Sequence, residues 1–405
     1  MGIVATNGSA EAMKKAFRDR MPVTKSLAYF DHAAVSPIPQ PTAQAMREWM
    51  DQASEQGDVP WLDWSRKANR VRDLASQMLH CKTNEIALVP NTTYGINIVA
   101  MGFPWREGDS MVLPENEYAS NKLPWKSLER LGVDVRTVPV ESSGILDIDR
   151  IVRAIDATTR IVSVSWVGYA SGYRANLSEL CERVHRAGAK LFVDAIQGLG
   201  VFTLDTRDIP IDYAAADGHK WMLGPEGAGI LYIRETNLEQ LAPIMIGWNS
   251  VQASHEFHAD SSRLKKDASR YEGGSANLVG LIGLSESLSM LLELGSGQLH
   301  NPLATPVPEH AVLENAVLEN AARVRDAIQS VGGTLAGHQP RTWDAPTASG
   351  IVSFELPGKD PAHVRKKLLT AGVVLSVRHG KLRAATHAYN NEEDIDRFRY
   401  ALQEA

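Results

Sequence analysis

Two cysteines, Cys81 and Cys181, are the only thiols in 405 residues, too few for a disulfide framework or a thiolate metal cluster. Neither charge sign dominates. With 42 basic and 48 acidic residues the formal charge is −6, which gives neither nucleic acid nor an anionic membrane a general handle. No apolar run approaches the roughly 20 residues of a membrane helix, and the start lacks a basic stretch followed by an apolar one. Met1-Gly2-Ile3-Val4-Ala5-Thr6 formally fits a myristoylation pattern, a short match that chance often produces. Hydrophobic content of 44% and charged content of 22% are those of an ordinary globular chain. These features point to a soluble, cytoplasmic enzyme without nucleic-acid or membrane partners, long enough for two or three domains.

What is present is an alternation of elements. A polar tail runs into an amphipathic helix (11–20), a strand-like Ala28-Tyr29-Phe30, a turn-rich passage, and two helical stretches near 41–56 and 64–80. From residue 86 short apolar strands alternate with helices. The strand candidates are 86–89, 110–113, 133–138, 161–167, 190–193, 213–216 and 230–233. Several are almost continuously apolar, as strands covered on both faces are. The alternation predicts a mostly parallel sheet in a layered α/β domain. After Leu278 the texture changes to a long helix, a link around Gly295-Ser296-Gly297 and Pro308, then helix and strand in a smaller α+β unit. The expected division is a tail and helix (1–24), a large α/β domain (25–285) and a small domain (286–405). The tandem copy of Ala311–Asn315 in Ala316–Asn320 is too short for a solenoid.

Three segments carry chemistry. In Ala216-Asp217-Gly218-His219-Lys220-Trp221, a lysine follows a strand end and precedes a glycine-rich turn. A desolvated lysine has a lowered pKa, as a Schiff-base amine requires. In Leu191-Phe192-Val193-Asp194-Ala195-Ile196-Gln197 a carboxylate closes a buried strand, where ligands of open α/β sheets bind. Asp194 could be a helix N-cap; paired with Lys220, it could hold a pyridinium nitrogen protonated. Asn91-Thr92-Thr93 places hydroxyls between a strand and a helix start, a site for phosphate or for plain capping.

With these residues in order, the chain resembles the class V aminotransferase family of fold-type I pyridoxal-phosphate enzymes, which includes cysteine desulfurases and isopenicillin N epimerase-like proteins. The resemblance runs from Tyr29-Phe30-Asp31 to Arg383-Ala384-Ala385-Thr386-His387-Ala388-Tyr389-Asn390. It implies a seven-stranded, mostly parallel sheet with pyridoxal 5'-phosphate as cofactor. Lys220 would be the Schiff-base lysine, Asp194 the partner of the ring nitrogen, and Gln197 that of the phenolic oxygen. Thr92, Thr93 and His219 would hold the phosphate, with Tyr118, before Pro124-Trp125, stacked on the ring. Arg383 would clamp a substrate α-carboxylate, with Trp166 and His32 as further substrate contacts. Ser275, in Tyr271-Glu272-Gly273-Gly274-Ser275-Ala276-Asn277, would reach a neighbouring subunit's phosphate, which implies a homodimer with shared sites.

Two departures matter. Asp217 stands where relatives carry Ser or Thr, so it must point away, pair with a cation or be protonated. The interval Val377-Arg378-His379-Gly380-Lys381-Leu382 lacks the cysteine that desulfurases carry there, which weighs against cysteine desulfuration. The resemblance favours an aminotransferase acting on an amino acid. A C–S lyase comes next, then an epimerase, with a catalytically idle scaffold as the non-enzyme alternative. Gly198-Leu199-Gly200-Val201-Phe202-Thr203 nearly fits a dinucleotide fingerprint, but Thr203 replaces its third glycine. His32, His379 and His387 have no ligand spacing to one another, so no metal site is expected.

Overall fold

Runs such as Ile161-Val162-Ser163-Val164 can satisfy their backbone in a ladder and their side chains between two layers, and the chain uses them so. The computed structural model describes residues 7–252, 254, 263–295 and 311–405; the first six residues and the link through Pro308 lie outside them. In chain order the strands are β1 (Ala28–Tyr29), β2 (Ile86–Val89), β3 (Ser110–Pro114), β4 (Asp134–Val138), β5 (Thr159–Ser165), β6 (Lys190–Asp194) and β7 (Tyr213–Asp217). They continue with β8 (Gly229–Ile233), β9 (Thr334–Ala336), β10 (Ile351–Glu355), β11 (Val373–Val374), β12 (Ser376–Arg378) and β13 (Lys381–Ala385).

The seven-stranded sheet has the order β2-β8-β7-β6-β5-β3-β4. Only β8 is inverted, running antiparallel to both β7 and β2. Parallel register sets Ser165 beside Asp194 and Asp194 beside Ala215. The carboxyl ends of β5, β6 and β7 therefore form one rim, where ligands of open sheets bind. The second sheet, β12-β13-β10-β9, is antiparallel throughout. The first strand belongs with the C-terminal part of the chain. β1 pairs parallel with β11, and Asp31 bridges to Ala385. Phe17, in the helix Asn7–Asp19, packs edge-on against His387 and Tyr389.

The helix Leu278–Gly295 has 18 residues and is apolar enough to cross a membrane by length and composition, closer to that limit than the sequence reading allowed. Two-thirds of it is buried, against the helices Gln40–Gln56 and Trp61–Leu79. A helix apolar all round is what such a central position requires. Of its serines, Ser287 bonds Thr42 at 2.6 Å and donates to the Leu223 carbonyl at 2.8 Å, while Ser285 Oγ is buried with no hydrogen-bond partner.

The near-fingerprint glycines have packing roles. A Cβ on Gly198 would sit 2.4 Å from the Trp166 ring. Gly200 (φ +105°) lies against the Trp221 carbonyl, where a Cβ would come to 2.4 Å. Both glycines bring the turn after β6 down onto its neighbours.

Candidate active site

The rim of the large sheet and the edge of the small one enclose a cavity of about 360 Å³. Lys220, Asp194, Gln197, Thr92, Thr93, Tyr118, His219 and Arg383 all line it. Each is set by local structure. Asn91 caps the helix Thr92–Gly102, accepting from the Tyr94 N–H at 2.8 Å. The threonines are thereby freed from capping. Thr92 Oγ1 accepts from the Asp217 N–H at 2.9 Å, tying the end of β7 to the helix start, and Thr93 donates to Ser120 Oγ at 2.8 Å. Asp194 Oδ1 accepts from the Ile196 N–H at 3.1 Å. Gln197 accepts from Trp221 Nε1 at 2.7 Å and donates to the Ala33 carbonyl at 3.0 Å, which fixes the direction of its amide.

Burial shapes the charges. Desolvation lowers Lys220 to about 8; Asp194 opposes that shift, while Arg383 reinforces it. Burial pushes Asp194 up to about 6 against the Ile196 N–H and Lys220, which both favour its anion. At neutral pH this leaves a mostly ionised carboxylate facing an amine that loses its proton far more readily than an ordinary lysine. Arg383 is 1% exposed. Its guanidinium donates to Ser376 Oγ at 3.1 Å and the Tyr169 carbonyl at 2.8 Å, and meets Asp31 at 3.4 Å. Those bonds leave one N–H on each terminal nitrogen, the number a carboxylate takes from a forked guanidinium. Tyr118 stands at the cavity mouth with its ring centroid 5.8 Å from Lys220 Nζ.

Asp217 turns toward His219. Its Oδ2 lies 2.9 Å from His219 Nδ1. The contact lacks hydrogen-bond geometry, and Asp217 Oδ1 is buried with no hydrogen-bond partner.

Two expected site residues lie elsewhere. Trp166 is a core residue behind Asp194, edge-on to Phe202 at 6.0 Å and absent from the cavity wall. Its backbone N–H donates to the Asp194 carbonyl, so it follows the strand end while its ring points into the packed layer. His32 is fully buried, with one ring nitrogen 2.8 Å from the Ala385 carbonyl and the other 2.6 Å from the Tyr389 hydroxyl. With both nitrogens engaged it offers nothing to a substrate. Ser275 lines a different cavity, with Tyr94, Glu272 and Asn277.

Residues that sequence reasoning passed over are Tyr169, Arg378, Asp31 and Glu117. Tyr169 and Arg378 line the cavity. Glu117 accepts from the Ser165 N–H at 2.6 Å, Ser165 Oγ at 2.5 Å and Asn121 at 3.0 Å. Burial pushes it up to about 7, with Asp194 adding to the shift. Its only sequence signal is its place one residue before Tyr118.

A family model described as Aminotransferase class-V matches residues 28–398. The chain belongs to the class V aminotransferase family. Among curated relatives it is 32% identical to a probable cysteine desulfurase of Methanothermobacter thermautotrophicus over 409 residues, covering 96% of each chain. It is 28% identical to a cysteine desulfurase of Escherichia coli over 93% of each. Among solved structures, an apo cysteine desulfurase from Thermococcus onnurineus NA1 superposes with a TM-score of 0.82 at 24% identity, covering 100% and 99% of the two chains. The cystine C–S lyase C-DES superposes with a TM-score of 0.82 at 22% identity, covering 95% and 99%. Both share the fold-type I architecture. These relatives give the expectation against cysteine desulfuration no support, and they do not single out transamination.

The family's cofactor is pyridoxal phosphate, and the cavity fits it. Lys220 supplies the amine, Asp194 the buried anion, and the helix start at Thr92 its unpaired N–H groups. At the same corner Asp217 Oδ1 is a buried acceptor without a partner.

Proposed function

We propose that this pyridoxal-phosphate enzyme is a lyase cleaving the Cβ–S bond of a cysteine-class α-amino acid, working as a homodimer. The observation that carries the reading is the β12–β13 connection. It is a two-residue turn, His379-Gly380, with no thiol, while Cys181 is buried in the helix Leu177–Arg186 and Cys81 is pushed by burial up to about 12. The sulfur would therefore leave with its own substituent instead of passing to an enzyme cysteine at that turn. The resemblance to curated cysteine desulfurases supports the substrate class.

When bound, the cofactor supplies an electron sink for charge developing at the substrate Cα. In this reading Arg383 holds the α-carboxylate through its two remaining N–H groups. Lys220, with its lowered pKa, takes the Cα proton, and the C–S electron pair departs with sulfur from Cβ. Asp194 keeps positive charge at the ring nitrogen, and Gln197, its amide fixed by Trp221 and Ala33, faces the phenolic oxygen. Thr93, His219 and the helix start would hold the phosphate, Tyr118 would pack against the cofactor, and Ser275 would serve the neighbouring subunit. Transamination would use Lys220 as the same proton carrier and leave the Cβ–S bond intact.

Product analysis of the holoenzyme tests this. L-cysteine or L-cystine should give pyruvate and ammonia in equal amounts. L-alanine as the carbon product would replace the lyase with a desulfurase. A keto acid that keeps the sulfur, with the amino group left on the cofactor, would replace it with an aminotransferase.

A further inference from the structure

Next to the cofactor cavity lies a second one of about 350 Å³. The two share Tyr169 and Arg378 as lining. The second chamber is walled by small residues, among them Gly144, Gly168, Ala170 and Gly337. A Cβ on Gly144 or Gly168 would come within 2.3 or 2.4 Å of the Ser171 side chain, so glycine lets the backbone close around the space. The volume suits several heavy atoms beyond a substrate Cβ.

Its charges are matched except at one point. Lys381 pairs with Glu355, Glu141 faces Arg150 at 3.6 Å, and Asp31 faces Arg383 at 3.4 Å. Arg378 donates from Nη1 to the Val377 carbonyl at 2.8 Å and makes no ion pair within 4 Å among the described residues. It lines both cavities, between the reaction centre and the second chamber, and its charge acts on the Asp31 carboxylate. The turn behind it is stiff. His379 (φ 49°) and Gly380 (φ 73°) are both left-handed, the geometry of a tight two-residue hairpin. His379 Nε2 lies 2.5 Å from the Tyr169 hydroxyl, pinning the turn to the wall between the chambers.

We infer that Arg378 receives a second anionic group of the substrate and that the adjoining chamber holds the group carried on sulfur. Resting on the C–S lyase reading, this makes the substrate class cysteine S-conjugates with an acidic substituent. A half-buried arginine that shares the Asp31 carboxylate with Arg383 gains from a further anion. Arg383 accounts for the α-carboxylate, which leaves the side-chain end for Arg378.

The test compares S-carboxymethyl-L-cysteine with S-carbamoylmethyl-L-cysteine, nearly the same in shape and different in charge. Dissociation constants are read from the holoenzyme's cofactor absorbance, and pyruvate is assayed separately. The carboxylate should bind about ten-fold more tightly. Arg378→Gln should shrink that ratio to within about two-fold while leaving the carbamoyl compound's affinity near wild type, and Arg378→Lys should restore part of the ratio. Equal loss for both ligands in Arg378→Gln would make Arg378 a second holder of the α-carboxylate and overturn the inference, as would no charge preference in the wild type. Charge preference without pyruvate would uphold the subsite and reject the lyase reading.

Discussion

The two ends of the cavity are built by different means. The cofactor end is made at the rim of the parallel sheet, where Asp194, Asp217 and the start of the helix Thr92–Gly102 lie at strand ends held by ladder bonds. The substrate end is made where chain segments far apart in sequence meet. Arg383 of β13 reaches Asp31 near the start of the chain and the Tyr169 carbonyl after β5. The cofactor end is a local product of strand, turn and helix. The substrate end depends on β1 pairing with β11 across the whole length of the molecule. One consequence is that the two ends can be damaged separately.

The largest expected effect comes from the cofactor end. Lys220→Ala should remove the lysine-linked cofactor's absorbance and cost about 10³-fold or more in turnover. An unchanged spectrum in that variant would sink the assignment of Lys220. The same group gives a pH test. Burial lowers Lys220 to about 8, and the neutral amine is the nucleophile. Capture of pyridoxal phosphate by the apoenzyme should therefore accelerate as pH rises through about 8 and level off above it. A rate still climbing steeply at pH 10 would mean that the amine is not desolvated as placed here.

Arg383→Ala acts at the other end and should be smaller. Loss of two charge-assisted bonds should weaken amino-acid binding by about 100-fold, with cofactor content unchanged. If the variant loses cofactor instead, the two ends are not separable, and Arg383 supports the rim through Tyr169.

This division also explains what could be read from the sequence. That Lys220, Asp194, Gln197 and Thr93 gather at one cavity was legible because strand, turn and acidic or basic residue are contiguous in the chain, and because the family motif spans them. The seven-stranded sheet was legible for the same reason, through continuous apolar runs. Trp166 and His32 were misplaced because the sequence shows proximity to a strand end or turn but not the side on which a ring emerges. Trp166 turns into the layer that Gly198 opens, and His32 is claimed by Tyr389. Tyr169 and Arg378 went unread because neither sits in a motif, and only the meeting of loop and hairpin gives them a role. Gly198 and Gly200 resembled a nucleotide fingerprint because close backbone approach demands glycine for packing as it does for phosphate.

The smallest expected effect concerns Asp217. An acid at the phosphate corner places like charges together, and Asp217 Oδ2 lies 2.9 Å from His219 Nδ1. The repulsion acts in a buried pocket where charges are weakly screened. Asp217→Ser removes the repulsion and keeps a small polar group beside the β7 rim, while Thr92 still accepts the backbone N–H of residue 217. The dissociation constant for pyridoxal phosphate, measured on the apoenzyme at fixed pH and ionic strength, should fall by about three- to ten-fold. A rise would show that Asp217 acts mainly by orienting His219 toward the phosphate, and that losing this orientation outweighs the relief of charge. Asp217→Asn separates the two effects, since it removes the charge and keeps the shape. If Asn tightens binding and Ser loosens it, Asp217 both repels the phosphate and positions the histidine, and the cofactor end depends on a side chain as well as on its strand ends.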